Sequence, residues 1–162
     1  QKFLERHPEF FGLWDYHEVH PHVVLSHHDH GDLIPDFILV NRQRVEAMVV
    51  DLKLPRKRVI VGPAGRERFS HEVSQAATQL REYQRWFDDK SNRAKIKEAL
   101  GMEVYRPRLA MVIGRRNEIA SEFALQSVRS QNPDLEVATY DQIADAARRR
   151  LALVASAPRT DG

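Results

Sequence analysis

A chain of 162 residues has room for one domain with a real core and too little for two of ordinary size. Its apolar and charged fractions, 42% and 30%, are those of a globular protein, and no segment reaches the uninterrupted apolar length of a membrane span, so a cytoplasmic location is expected. The absence of cysteine excludes disulfides, thiolate catalysis and cysteine-ligated zinc, while a net charge of +2 permits nucleic-acid binding without demanding it.

The chain opens on Gln1 rather than Met, and a missing neighbouring domain is expected. Phe3, Leu4, Phe10 and Phe11 surround Glu5 in a short helix that Pro8 ends or interrupts. Between Trp14 and Ser26, Val19, Val23, Val24 and Leu25 predict one or two strands broken near Pro21. Histidines crowd from His17 to His30 and culminate in His27-His28-Asp29-His30-Gly31-Asp32. Imidazole and carboxylate are ligands for Zn or Ni, but Asp and Gly between two apolar runs are turn chemistry, and a turn is the stronger reading.

Pro35 to Lys53 organises the rest. Two apolar runs, Phe37 to Val40 and Val45 to Leu52, flank the polar Asn41-Arg42-Gln43-Arg44 and predict a β-hairpin. Alternation along a strand points Asp51 and Lys53 one way and Leu52 the other, and Asp36 opens the neighbouring strand. Two carboxylates and an ammonium therefore meet at one end of the sheet. Such a group suits Mg²⁺ held by hard oxygen ligands and the stabilisation of growing negative charge, which phosphodiester hydrolysis requires. An acid ending the run Ala47 to Val50 is costly inside a core unless paired or bound to a metal.

Leu54 to Arg66 is a loop or loose hairpin by its prolines and glycines, and it leaves the chain directly beside the acids. Its Arg56, Lys57, Arg58 and Arg66, with Arg68, are candidates to grip phosphates of a bound DNA. Ser70 is a credible N-cap of a helix running to about Phe87, with Val73, Ala76, Ala77, Leu80, Gln84 and Phe87 on one face and Gln75, Gln79 and Tyr83 along its flank. Packed on the sheet, that helix can aim Gln79 and Tyr83 at the acids.

Asp88 to Leu100 is a charged helix, expected to be exposed and to end at Gly101. Leu109 to Gly114 reads as a central, doubly covered strand, and Asn117 as the cap of a helix through Ile119, Phe123, Ala124 and Val128. Leu135 to Tyr140 is a further strand. Asp141 is the expected cap of a last helix whose stripe is Ile143, Ala147, Leu151 and Val154. The fold class is then α/β, one domain over residues 1–155 with a mixed sheet flanked by helices on both faces and a tail over 156–162.

The order Pro35-Asp36 followed by Asp51-Leu52-Lys53 resembles the PD-(D/E)xK nuclease superfamily, with its restriction-endonuclease-like core, and Gln79 with Tyr83 resembles the helix motif of its RecB-type members. The ordered set Phe3-Leu4-Glu5-Arg6-His7-Pro8, Pro35-Asp36-Phe37, Val50 to Pro55, Ala76 to Tyr83, Val112-Ile113-Gly114-Arg115 and Thr139 to Ile143 is similar to the nuclease domain of the Shedu anti-phage defence family. The resemblance implies a metal-dependent DNA endonuclease in which Asp36, Asp51 and the main-chain carbonyl of Leu52 bind Mg²⁺ or Mn²⁺, with Glu5 as a third acid. It implies Lys53, Gln79 and Tyr83 as the remaining catalytic residues, a homo-oligomer, and an N-terminal regulatory region outside this chain. Asp51 stands where many relatives carry Glu, which shortens the carboxylate's reach. The rival readings are a nuclease-fold module that binds DNA or senses its ends with weak or no catalysis, and a structural or oligomerisation domain on the same sheet.

Overall fold

The structure, a computed structural model, describes residues 1–26, 31–119 and 121–156. The expected hairpin is its centre. Strand β2 (Phe37–Asn41) runs antiparallel to β3 (Glu46–Leu52), with Phe37 opposite Val50 and Val40 opposite Ala47. Strand β1 (Glu18–Pro21) adds antiparallel to β2, while β6 (Arg108–Val112) and β7 (Leu135–Ala138) add parallel to β3, giving the order β1-β2-β3-β6-β7. Between β3 and β6 lies a separate two-stranded hairpin of β4 (Ile60–Val61) and β5 (Arg68–Phe69). β3 is therefore the seam of a mixed sheet: antiparallel pairing on one side, parallel on the other.

Alternation sends one set of side chains to each face. Ile38, Val40, Ala47, Val49, Leu109 and Met111 pack against α2 (His71–Trp86) and α4 (Glu122–Ser130) through Val73, Ala76, Leu80, Ala124 and Val128. Phe37, Leu39, Met48, Val50, Ala110 and Val112 pack on the other face against the helix α1 (Lys2–Arg6), a 3₁₀ helix (Pro8–Trp14) and α5 (Tyr140–Ser156), through Leu4, Phe11 and Ile143. A half-covered sheet would leave one such set in water, so both layers are required. The architecture is the expected mixed α/β sheet with helices on both faces, consistent with a restriction-endonuclease-like core.

The helix starts follow capping chemistry, twice at residues other than those expected. Ser70 caps α2, its Oγ accepting from the Val73 N–H at 3.3 Å. α4 is capped by Ser121, whose Oγ accepts from the Ala124 N–H at 3.0 Å, whereas Asn117 lies in a 3₁₀ turn (Arg116–Glu118). α5 starts from a reciprocal box: the Gln142 N–H donates to Thr139 Oγ1 at 3.3 Å and the Thr139 N–H to Gln142 Oε1 at 3.0 Å. Asp141 instead accepts from the Arg116 N–H, tying α5 to the turn after β6.

Three further expectations are corrected. Leu151 and Val154 are exposed, because α5 outruns the layer it packs on, and its buried residues are Ile143, Ala146 and Ala147. In α3 (Lys90–Leu100) Ile96 and Leu100 are buried, so the helix is not a wholly exposed one. On α2, Tyr83 and Trp86 turn inward while Gln84 is only half-buried and donates to the Pro107 carbonyl at 2.8 Å. Of the histidine cluster, residues 27–30 lie outside the described residues. No helix among the described residues is long and apolar enough to cross a membrane.

Candidate active site

Asp51 and Lys53 leave β3 on the α2 face, two and four residues beyond the buried Val49, as the period of the strand dictates. Lys53 Nζ donates to Asp51 Oδ1 at 3.2 Å and stands 3.0 Å from Oδ2. Asp36, immediately before β2, accepts the Leu52 N–H on Oδ2 at 2.7 Å, where β3 has run past the last residue paired with β2. On the other side of β3, the Lys53 N–H donates to the Val112 carbonyl at 2.9 Å. Hairpin pairing thus brings the two acids together, and parallel pairing with β6 fixes the backbone of the lysine.

Asp51 is only 5% exposed, and its Oδ2 is buried without a hydrogen bond despite the nearby ammonium. Burial pushes its carboxyl above the usual range, and the charge of Asp36 adds to this; the hydrogen bond and charge of Lys53 pull the other way without prevailing. An under-satisfied carboxylate beside a second one attracts a cation. Two carboxylates offer the hard oxygen donors that Mg²⁺ or Mn²⁺ prefers, and a small ion that keeps much of its water needs few more from the protein. The chemistry of the donor set fits such an ion.

Glu5 does not join these acids in a common cluster. Its carboxylate lies 3.7 Å from His22 Nε2, and only the main-chain N–H of His22 donates to the main-chain carbonyl of Asp36 at 3.3 Å, so the histidine neighbours both residues without joining their carboxylates. Among the described residues no group of three or more His, Cys, Asp or Glu side chains is placed to hold a metal.

Two phenols flank the carboxylates. Gln79 Nε2 donates to the hydroxyl of buried Tyr83 at 2.6 Å, and burial raises that hydroxyl's pKa, with smaller contributions from the charges of Asp51 and Asp36. Gln79 itself is exposed and, with Lys53, Ser74, Gln75 and Thr78, lines an open groove of about 680 Å³ along α2. Tyr140, the first residue of α5, donates its hydroxyl to the Lys53 carbonyl at 2.8 Å; burial, then the charges of Asp36 and Asp51, push its pKa up to about 12. Sequence reasoning missed Tyr140 as a neighbour of this group. The signal was available: Thr139-x-x-Gln142 is a capping box that starts a helix where a strand ends beside β3's partner.

Of the candidate phosphate-gripping residues, Lys57 pairs with Glu72 at 2.9 Å and holds the loop to the start of α2. Arg56, Arg58, Arg66 and Arg68 are exposed and have no carboxylate partner among the described residues. They project from the segment that follows Lys53 and from the β4–β5 hairpin.

A family model described as "Shedu protein SduA, C-terminal" matches residues 1–144. No curated protein matches the chain.

Proposed function

Because the chain belongs to the Shedu family, matching the C-terminal part of its SduA protein, a membership that points to anti-phage defence, we propose that it is a metal-dependent DNA endonuclease domain of a prokaryotic defence protein. In this reading Asp36 and Asp51 hold Mg²⁺ or Mn²⁺, with the main-chain carbonyl of Leu52 beside them. An ion held there would supply Lewis-acid chemistry to the phosphate and to an attacking water. Lys53 sets a fixed positive charge beside phosphate oxygens that gain charge in the transition state. Tyr140 holds the lysine's peptide, and Gln79 with the Tyr83 hydroxyl orders the groups around the carboxylates. Arg56, Lys57, Arg58, Arg66 and Arg68 bind phosphates on either side of the cut, so affinity for DNA falls with salt. The domain acts in a homo-oligomer under an N-terminal regulatory region.

The observation that carries this reading is Asp51: a buried carboxylate with one oxygen unpartnered, set between a second carboxylate and an ammonium. Lys53 Nζ stands 3.0 Å from that oxygen without making a hydrogen bond to it, and a bound cation would complete its surroundings. The test is cleavage of supercoiled and linear DNA by the purified chain in Mg²⁺, Mn²⁺ or EDTA, beside Asp51→Asn and Lys53→Ala variants checked for folding. Metal-dependent cutting absent from both variants supports hydrolysis on this strand. DNA retained in a gel shift with no cutting under any of these conditions favours the DNA-binding or end-sensing module instead.

A further inference from the structure

Along edge strand β7, between the 3₁₀ helix at Pro8–Trp14 and α5, lies a cavity of about 540 Å³ that shares no lining residue with the Asp36–Asp51–Lys53 group. Four arginines reach it from four elements: Arg108 from β6, Arg116 from the turn after it, Arg129 from α4 and Arg149 from α5. Among the lining carboxylates Asp15 is held by Arg44, and two of the four arginines are neutralised, Arg108 by Glu136 and Arg116 by Asp145 at 2.6 Å. The other two are not. Arg129 and Arg149 have no carboxylate partner among the described residues, although Arg129 is half-buried and reaches only the Val137 carbonyl and Gln142 Oε1.

A guanidinium has five N–H donors and stays charged, so two neutral acceptors leave donors of Arg129 unmet, and its charge is balanced only from beyond salt-bridge distance by Glu122 and Glu136. Burial accordingly works against the charge of Arg129. An anion entering the cavity meets both needs, and a phosphate matches the planar fork of Arg better than a point charge does. The cavity is larger than a lone phosphate requires and falls within the size range of small-molecule sites. Trp14 is among its lining residues, and its indole stacks on Phe11 at a ring separation of 6.5 Å and an interplanar angle of 18°. A flat aromatic wall beside free guanidiniums is the combination that takes a planar base and its phosphate.

We propose that this cavity binds a nucleotide, with its phosphate on Arg129 and Arg149 and its base against Trp14. The proposal does not depend on the nuclease reading, because the binding can be measured without cutting. Calorimetric titration of the chain with ATP, AMP, adenosine or inorganic phosphate, in EDTA so that no ion joins nucleotide to the acids of β3, is the direct experiment. ATP or AMP should bind at least about tenfold more tightly than adenosine or phosphate, since each supplies half of the recognition. Arg149→Ala, an exposed position whose loss spares the core, should weaken binding about tenfold, and Arg129→Gln should do the same where thermal unfolding shows it folded. Failure of ATP and AMP to bind overturns the proposal, and so does binding undiminished in Arg149→Ala. Inorganic phosphate binding as tightly as ATP overturns the nucleotide assignment in favour of a simple anion site.

Discussion

Asp51→Asn should make the metal-free protein more stable while removing its response to Mg²⁺. The side chain is 5% exposed and its folded pKa lies above the ordinary carboxylate value because burial outweighs the help of Lys53. Between those two values the folded protein holds a proton that the unfolded chain has released, so stability falls as pH rises through that window, and above it the full penalty of ionisation is present. Asparagine keeps the shape and an oxygen for Lys53, carries no charge, and leaves an ammonium whose side chain is 32% exposed and can still be hydrated. A gain of about 1 kcal/mol near pH 8 is the expected order, equivalent to roughly 2–4 °C in Tm for a domain of this size. Near pH 4, around the ordinary carboxylate value, much of the difference should vanish. Under the nuclease reading, Mg²⁺ at a hundred times its Kd then adds about 2.7 kcal/mol to the wild type and little to the variant, reversing their order. Thermal unfolding in EDTA and in Mg²⁺ across pH measures all of this. A variant less stable than the wild type at pH 8 in EDTA, or a difference independent of pH, would refute the account of Asp51 as an under-satisfied buried charge.

Tyr140→Phe removes the hydroxyl that holds the Lys53 carbonyl at 2.8 Å; it should cost about 1 kcal/mol in denaturant unfolding and, under the nuclease reading, slow DNA cleavage while leaving DNA affinity unchanged. Gly114→Ala should destabilise by more than about 2 kcal/mol, since φ is +68° there and a Cβ would stand 2.7 Å from the Lys57 carbonyl oxygen and 2.8 Å from Val59 Cγ2, neither able to step aside. Circular dichroism in urea reads that loss. Arg58→Ala should weaken DNA binding for all sequences alike and reduce the slope of log K against log salt by about one, as counted by filter binding at several salt concentrations.

Two apolar runs around a polar turn made the hairpin legible in the sequence, and the period of a strand put Asp51 and Lys53 on a shared face. Ser70 and Gly101 were legible for a similar reason: caps are local chemistry, decided within four residues. Where the decision is tertiary, the pattern misled. Leu151 and Val154 continue the apolar period of α5, yet nothing among the described residues covers them. Phe123 is expected in the apolar stripe of α4, and it is 80% exposed because the face that packs is Ala124, Leu125 and Val128, from which position 123 is turned away. Glu5 was placed with the acids from its distance along the chain, and the fold gives it His22 instead. The proximity of Tyr140 to Lys53 depends on 87 intervening residues and on the parallel order β3-β6-β7, which no local motif encodes.

The seam at β3 also sets an order of assembly. Its antiparallel contacts join residues that a short turn separates, so the hairpin, and with it the contact of Asp36 with the Leu52 N–H, closes quickly. Its parallel contacts must wait for β6, and the Tyr140 bond for the start of α5, across loops whose closure is entropically dearer and slower. The two acids therefore meet on a nascent hairpin, but the lysine between them and α2 is fixed only once the last third of the chain has docked. Under the nuclease reading, partly folded or truncated chains would then be expected not to cut DNA, a kinetic safeguard for the cell that makes them.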